Sequence, residues 1–139
     1  MVLENFGPAH TPAQLVAVIP QDKVVYAGDI LFAQRLLAII PEGNITSWLA
    51  AYDRLKQFSN MTFIPGHGQA GPLKEFDFPT RQYLELLHGH MQKMVEEGVD
   101  IQEAIDSLDQ SRFSTLANFD ELAGRNASRA YLEQEAAAF

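Results

Sequence analysis

The stretch TFIPGHGQAG, residues 62–71, ends a short apolar run on one histidine, His67, set between Gly66 and Gly68. Glycine on both sides frees the backbone for unusual dihedrals and removes the neighbouring Cβ atoms that would shield the ring. Such a segment suits the presentation of an imidazole to a ligand, and it equally suits a tight turn. The choice depends on what the rest of the chain brings to the same place.

Outward from His67, the sequence reads as a sheet with one helix inserted. LVAVIP (residues 15–20) and KVVYAGD (residues 23–29) are rich in β-branched residues and are joined by the polar turn QDK, which predicts an antiparallel hairpin. VLENF before them and MTFIP after them are two further candidate strands. Between hairpin and His67, TSWLAAYDRLKQF places Trp48, Leu49, Tyr52, Leu55 and Phe58 on one helical face, with Thr46 as its cap.

After Pro79 the periodicity is helical throughout. Pro79 suits a first helical turn, and Tyr83, Leu84, Leu87, Met91, Met94 and Val95 form an apolar stripe that stops at Gly98. DIQE has capping-box spacing, with Asp100 at the cap and Glu103 reaching back, and opens a short helix through Leu108. A last helix is expected over residues 119–135. No internal repeat or low-complexity linker divides the chain, so one unit is expected, sheet-rich over 1–71 and helical over 72–139.

Composition narrows the function classes. The 139 residues are 47% hydrophobic, enough for a core without disulfides. With 18 acidic against 10 basic residues and a formal charge of −8, a polyanion is repelled, and nucleic acid is not an expected partner. The absence of cysteine excludes a thiolate metal site, so any metal must use histidine and carboxylate. No basic apolar leader and no run of membrane-spanning length is present, which predicts a soluble chain, cytoplasmic or periplasmic, with no membrane partner. NIT, NMT and NAS fit the glycosylation triplet, a pattern short enough to arise by chance.

Three residues have the right chemistry at strand-to-loop positions: His10 in GPAHT, Asp29 in YAGDILF and His67 in PGHG. Loops at one end of a sheet gather functional groups, and two imidazoles with a carboxylate form a reasonable donor set for zinc or iron. The structural alternative stands beside this: His10 capping a turn, Asp29 closing the hairpin, and the two glycines serving a turn only. His88 and His90 form a His-x-His pair on a helix. Positions two apart point about 200° away from each other, which predicts ordinary helix-surface histidines.

GPAHTPAQLVAVIPQDKVVYAGDILF, then SWLAAYDRL, then FIPGHG, in this order and spacing, resembles the C-terminal half of a metallo-β-lactamase superfamily domain. The tail GRNASRAYLEQE is similar to the ending of one hydrolase-like branch, which includes zinc metallohydrolases associated with quinoprotein systems. The resemblance implies an α/β (α+β) fold: half of an αββα sandwich, a small, mostly antiparallel sheet covered by helices. It implies a metal site in which His10 is the third histidine of the first metal's set, Asp29 the bridging carboxylate and His67 the histidine of the second metal. Zinc is the implied cofactor, and iron or manganese would accept the same ligands. The implied activity is metal-dependent hydrolysis of an ester, thioester, amide or phosphoester, with the substrate unnamed.

Two departures from the family pattern stand out. The signature His-x-His-x-Asp-His of the N-terminal half is missing, and HTPAQ replaces the Gly-Asp or Gly-Ser that follows the proline in many relatives. The alternating residues of the two hairpin strands would then lie bare, which predicts pairing with an N-terminal half or a homodimer. Two functions follow as expectations: part of a metal-dependent hydrolase, inactive or weakly active alone, or a non-catalytic self-associating module.

Overall fold

A computed structural model describes residues 1–139. Four strands, β1 (Val2–Asn5), β2 (Leu15–Ile19), β3 (Val24–Phe32) and β4 (Thr62–His67), form one sheet in the order β1-β2-β3-β4. The hairpin is present: β2 and β3 pair antiparallel through Ala17↔Tyr26, Val18↔Val25 and Ile19↔Val24, around a short turn at Pro20–Asp22 that leaves through Lys23 at φ 54°. β1 pairs antiparallel with β2, whereas β4 runs parallel to β3 because the chain between them crosses over through helix α1 (Ile45–Leu55). The sheet is therefore mixed, and antiparallel in two of its three pairings.

One face of this sheet carries the core. Val16, Val18, Val25, Ala27 and Phe63 point inward and are buried, and α1 meets them with Trp48, Tyr52 and Leu55. The Trp48 indole donates to the Ile30 carbonyl at 2.9 Å, so the largest buried side chain keeps its one polar atom satisfied while fixing the helix to β3. Helices α2 (Tyr83–Glu96), α3 (Ile101–Asp106) and α4 (Phe119–Ala138) complete the layer.

Several helix ends differ from the sequence reading. The cap of α1 is Asn44, whose Oδ1 accepts from the Ser47 amide at 2.8 Å; Thr46 lies inside the first turn. The helix starts earlier because Ile45 is buried and its amide is taken by Glu133 from α4, at 2.6 Å. Pro79 sits inside a wide π-type turn, Asp77–Gln82, rather than in the first turn of α2. Proline has no N–H and its ring clashes with the carbonyl four residues back, strain that a wider turn relieves. That turn also carries Thr80, whose hydroxyl accepts from the Phe32 amide and donates to the Phe32 carbonyl, sealing the end of β3. α3 is capped by Asp100 as expected but ends at Asp106, and α4 runs on to Ala138.

The opposite face of the sheet has no helix over it. Leu3, Ala17, Tyr26 and Ile64 are consecutive ladder partners and form a row straight across all four strands. Leu3 is 60% exposed, Tyr26 47%, and Leu15 in the next row 64%. The bare apolar face expected from strand alternation is thus present.

Candidate metal centre

Each of the three candidate residues is placed by a different local device. His10 lies in the loop between β1 and β2, which closes on itself through Phe6 N to Gln14 O at 2.8 Å and Gln14 N to Gly7 O at 3.0 Å. The Asn44 amide donates to the Ala9 carbonyl at 2.9 Å, tying this loop to the start of α1. Asp29 does not end its strand, as the sequence suggested. β3 continues to Phe32, and Asp29 falls in the irregular stretch between the pairs Gly28↔Pro65 and Phe32↔His67, just after Gly28 at φ +57°. The bend at Gly28 breaks the regular alternation and releases the Asp29 carboxylate at the sheet's end. His67 closes β4, as the sequence indicated.

The glycines flanking His67 have separate duties. A Cβ on Gly66 would stand 1.9 Å from Asp29 Oδ1, so this glycine leaves the space that the carboxylate fills. Gly68 has φ +103° and packs against the Ala33 carbonyl, where a Cβ would approach to 2.5 Å. The turn is real, and one glycine serves it while the other accommodates an acid from a neighbouring strand.

These devices bring the three side chains together. Asp29 lies between two imidazoles, with His10 Nε2 at 3.8 Å from Oδ2 and His67 Nε2 at 3.5 Å from Oδ1. His10 is the enclosed member, 13% exposed at its side chain, while His67 at 40% faces solvent. The contacts are pairwise about the carboxylate, and the three do not form a closed cluster of metal ligands. Beneath them is an aromatic floor: the Phe32 ring stacks on His67 at 4.6 Å, and His10 packs edge-on against Trp48 at 5.5 Å. Arg35, which no spacing rule singled out, brings NH1 to 3.5 Å from His67 Nδ1.

His88 and His90 take no part. Gln134 Nε2 lies 3.0 Å from His88 Nδ1, and His90 Nε2 lies 2.9 Å from the Ala104 carbonyl, so both rings tie α2 to neighbouring helices.

Residues 2–67 match the Metallo-beta-lactamase superfamily. The DIM-1 metallo-beta-lactamase is similar in structure at 24% identity and TM-score 0.53, covering 60% of this chain and 40% of its own. FIM-1 from Pseudomonas aeruginosa, in its mono-zinc form, is similar at 23% identity and TM-score 0.53, covering 60% and 38% respectively. The stereoselective inverting sec-alkylsulfatase Pisa1 from Pseudomonas sp. shares 14% identity at TM-score 0.69, covering 93% of this chain and 23% of its own. No curated protein matches. The chain thus matches the metallo-beta-lactamase superfamily over residues 2–67 and shares the fold of part of these solved enzymes. It spans about 40% of the length of the lactamases it resembles.

The donor chemistry suits the metal that the family implies, although the three side chains as placed do not form a group that would hold one. The donor set is two neutral-capable nitrogens and one carboxylate, with both Nε2 atoms facing the same acid. The Gly66 space lets that acid come forward between them and lets the Gly28 main chain approach β4 closely. His10 Nδ1 is buried without a hydrogen-bond partner while Nε2 faces Asp29.

Proposed function

We propose that this chain supplies the His10, Asp29 and His67 share of the metal centre of a zinc-dependent hydrolase, the remaining ligands coming from an N-terminal half. The observation that carries this reading is the Asp29 carboxylate lying between two imidazole Nε2 atoms in a space kept open by Gly66. When bound, zinc supplies a hydroxide nucleophile at neutral pH and polarises the bond under attack. The chain's own contribution is positional. Asp29 is held by the β3 bend and the two rings by Phe32 and Trp48, whose apolar surfaces keep water from one side of the site. A bridging role for Asp29 agrees with its two oxygens each facing a different histidine.

The bare sheet face fits the same reading. The row Leu3, Ala17, Tyr26, Ile64 is where a second sheet would pack to complete the sandwich. Residues 1–139 then act as one half-domain, weakly active or inactive by themselves. The exposure of Leu3, Leu15 and Tyr26 also favours a second reading, in which two copies cover the face in a homodimer without catalysis.

Elemental mass spectrometry on tag-free protein tests the metal reading, with His67→Ala and Asp29→Ala as controls. Near-stoichiometric zinc lost in both variants is expected. The same metal content in all three proteins would remove the site. Adding the N-terminal half in trans separates the two readings: metal-dependent hydrolysis supports the first, and a stable homodimer that ignores the added half supports the second.

A further inference from the structure

The sheet divides as it approaches the candidate site. The β2–β3 ladder ends at Ala17↔Tyr26. On its other edge β2 stays with β1 through Asn5↔Leu15, and the Phe6 amide goes on to the Gln14 carbonyl at 2.8 Å. β3 stays with β4 through Gly28↔Pro65 and Phe32↔His67. The strands thus leave as two pairs with a cleft between them. His10 belongs to the β1–β2 pair, whereas Asp29 and His67 belong to the β3–β4 pair. The His67–Asp29 spacing of 3.5 Å is therefore set within one pair, and the His10–Asp29 spacing of 3.8 Å is set across the cleft. The bond from Asn44 to Ala9 anchors the His10 loop to α1, but no ladder pair anchors it to β3.

Gln14 stands in that cleft. Continued in register, the β2–β3 ladder would set Gln14 opposite Asp29. Gln14 is one of three buried polar residues, with Thr80 and Asn126. Those two bond to main-chain groups of distant segments. Gln14 reaches across by contact instead: a Cβ on Gly28 would lie 4.0 Å from its Oε1, so the amide oxygen rests against the open side of the bend that delivers Asp29. The other end of the amide is tied to the residue after His10. The Thr11 hydroxyl donates to the Ala13 carbonyl at 2.9 Å, which leaves its oxygen to accept from Gln14 Nε2. This relay decides which end of the amide faces which strand pair.

We infer that Gln14 is a positioning residue of the candidate metal centre: a spacer, tied to the His10 loop at Thr11 and seated on the Gly28 bend, that sets the distance between His10 and Asp29. The departure HTPAQ, where many of the family it resembles carry Asp or Ser in place of Gln14, acquires a physical sense. A side chain longer than either spans the cleft in this chain. A group that touches no metal governs affinity when it fixes the ligands that do. Calling the pair part of a metal centre rests on the hydrolase reading; the spacing of His10 and Asp29 does not.

The test compares the metal-free parent with Gln14→Ala, which empties the cleft, and with Gln14→Met and Thr11→Val, which each remove the tie while keeping the bulk. Crystal structures, with nuclear Overhauser contacts between the histidine rings and the Asp29 side chain in solution, read both spacings. In Gln14→Ala the His10–Asp29 spacing should depart from 3.8 Å while the His67–Asp29 spacing keeps its 3.5 Å. Zinc affinity, measured by chelator competition, should fall roughly tenfold or more in Gln14→Ala and by less in the other two. Gln14→Met and Thr11→Val combined should lose no more than either alone, because both remove one bond. A folded Gln14→Ala protein with both spacings unchanged, or with both changed alike, would overturn the proposal, and a lower melting temperature with parental spacings would show a packing role instead. If Gln14→Ala fails to fold, Gln14→Met and Thr11→Val decide, and parental spacing in both overturns it. A parent that takes up no zinc would sink the hydrolase reading, while the metal-free spacings would still decide the role of Gln14.

Discussion

Asp29 occupies the space that a side chain on Gly66 would take: a methyl there would stand 1.9 Å from Oδ1 and 2.9 Å from the Gly28 carbonyl carbon. The carboxylate on β3 and the glycine on β4 are thus one fitted pair across a parallel ladder. Gly66→Ala should push the carboxylate out from between His10 and His67 and weaken zinc binding at least as much as it disturbs folding. A stability loss of about 1–3 kcal/mol is expected from the overpacking. Competition titration with a zinc chelator, alongside urea denaturation, checks both; unchanged zinc affinity would contradict the fit.

Asn126 is buried on α4 and makes three bonds. It accepts from the Ile39 amide at 2.9 Å, and donates to the Leu37 carbonyl at 2.7 Å and to the Tyr83 hydroxyl at 3.2 Å. Asn126→Ala leaves two main-chain groups without partners, and a loss of about 3 kcal/mol is expected in urea denaturation. Asn126→Asp should be worse, since a carboxylate cannot donate to Leu37.

Glu133 gives a pH dependence with a definite sign. Burial, first among the causes, raises its carboxyl above the ordinary range, against the pull of the Ile45 and Thr46 amides and of His88. A carboxyl whose folded value is raised contributes stability that is complete below its unfolded value and is lost as pH rises through the folded value. Glu133→Gln keeps an acceptor for the Ile45 amide and removes the buried charge. The variant should therefore lose less stability than the parent between acid and neutral pH in denaturant titrations, and parallel curves would contradict the assignment.

The open sheet face makes the fourth prediction. Tyr26 lies in the middle of the apolar row and contributes nothing to the core beneath. Tyr26→Lys should leave the circular dichroism spectrum and melting temperature nearly unchanged while abolishing association, with itself or with an N-terminal half, in size-exclusion chromatography with light scattering. Retained association would place the interface elsewhere.

How far the sequence revealed this arrangement depended on whether the cause was local. The hairpin around Pro20–Asp22 and the stripe of Tyr83, Leu84, Leu87 and Met91 were legible because alternation and helical period act over a few residues. The cap of α1 was misread because Glu133, far along the chain, takes the Ile45 amide and lets the helix begin at that buried residue. Pro79 was misread for a similar reason, since Thr80 in the same turn answers to Phe32 on a distant strand. Within the site, His10, Asp29 and His67 were visible as residue types at strand-to-loop positions. Arg35 carried no such signal, because its approach to His67 arises only in three dimensions, which no spacing encodes. Gly66 was noticed for the wrong duty, its space being used by a residue on another strand.

The strand order β1-β2-β3-β4 repeats the order of the chain. Each strand finds its ladder neighbour in the segment just before or just after it, so no strand must wait for a distant segment to slip in between two others. The sheet can therefore be assembled in the order of synthesis, and a second sheet laid over its bare face joins it by side chains alone, with no main-chain hydrogen bond to break. A unit built this way can be cut from, or rejoined to, its counterpart at the level of the gene without rewriting a single pairing inside it.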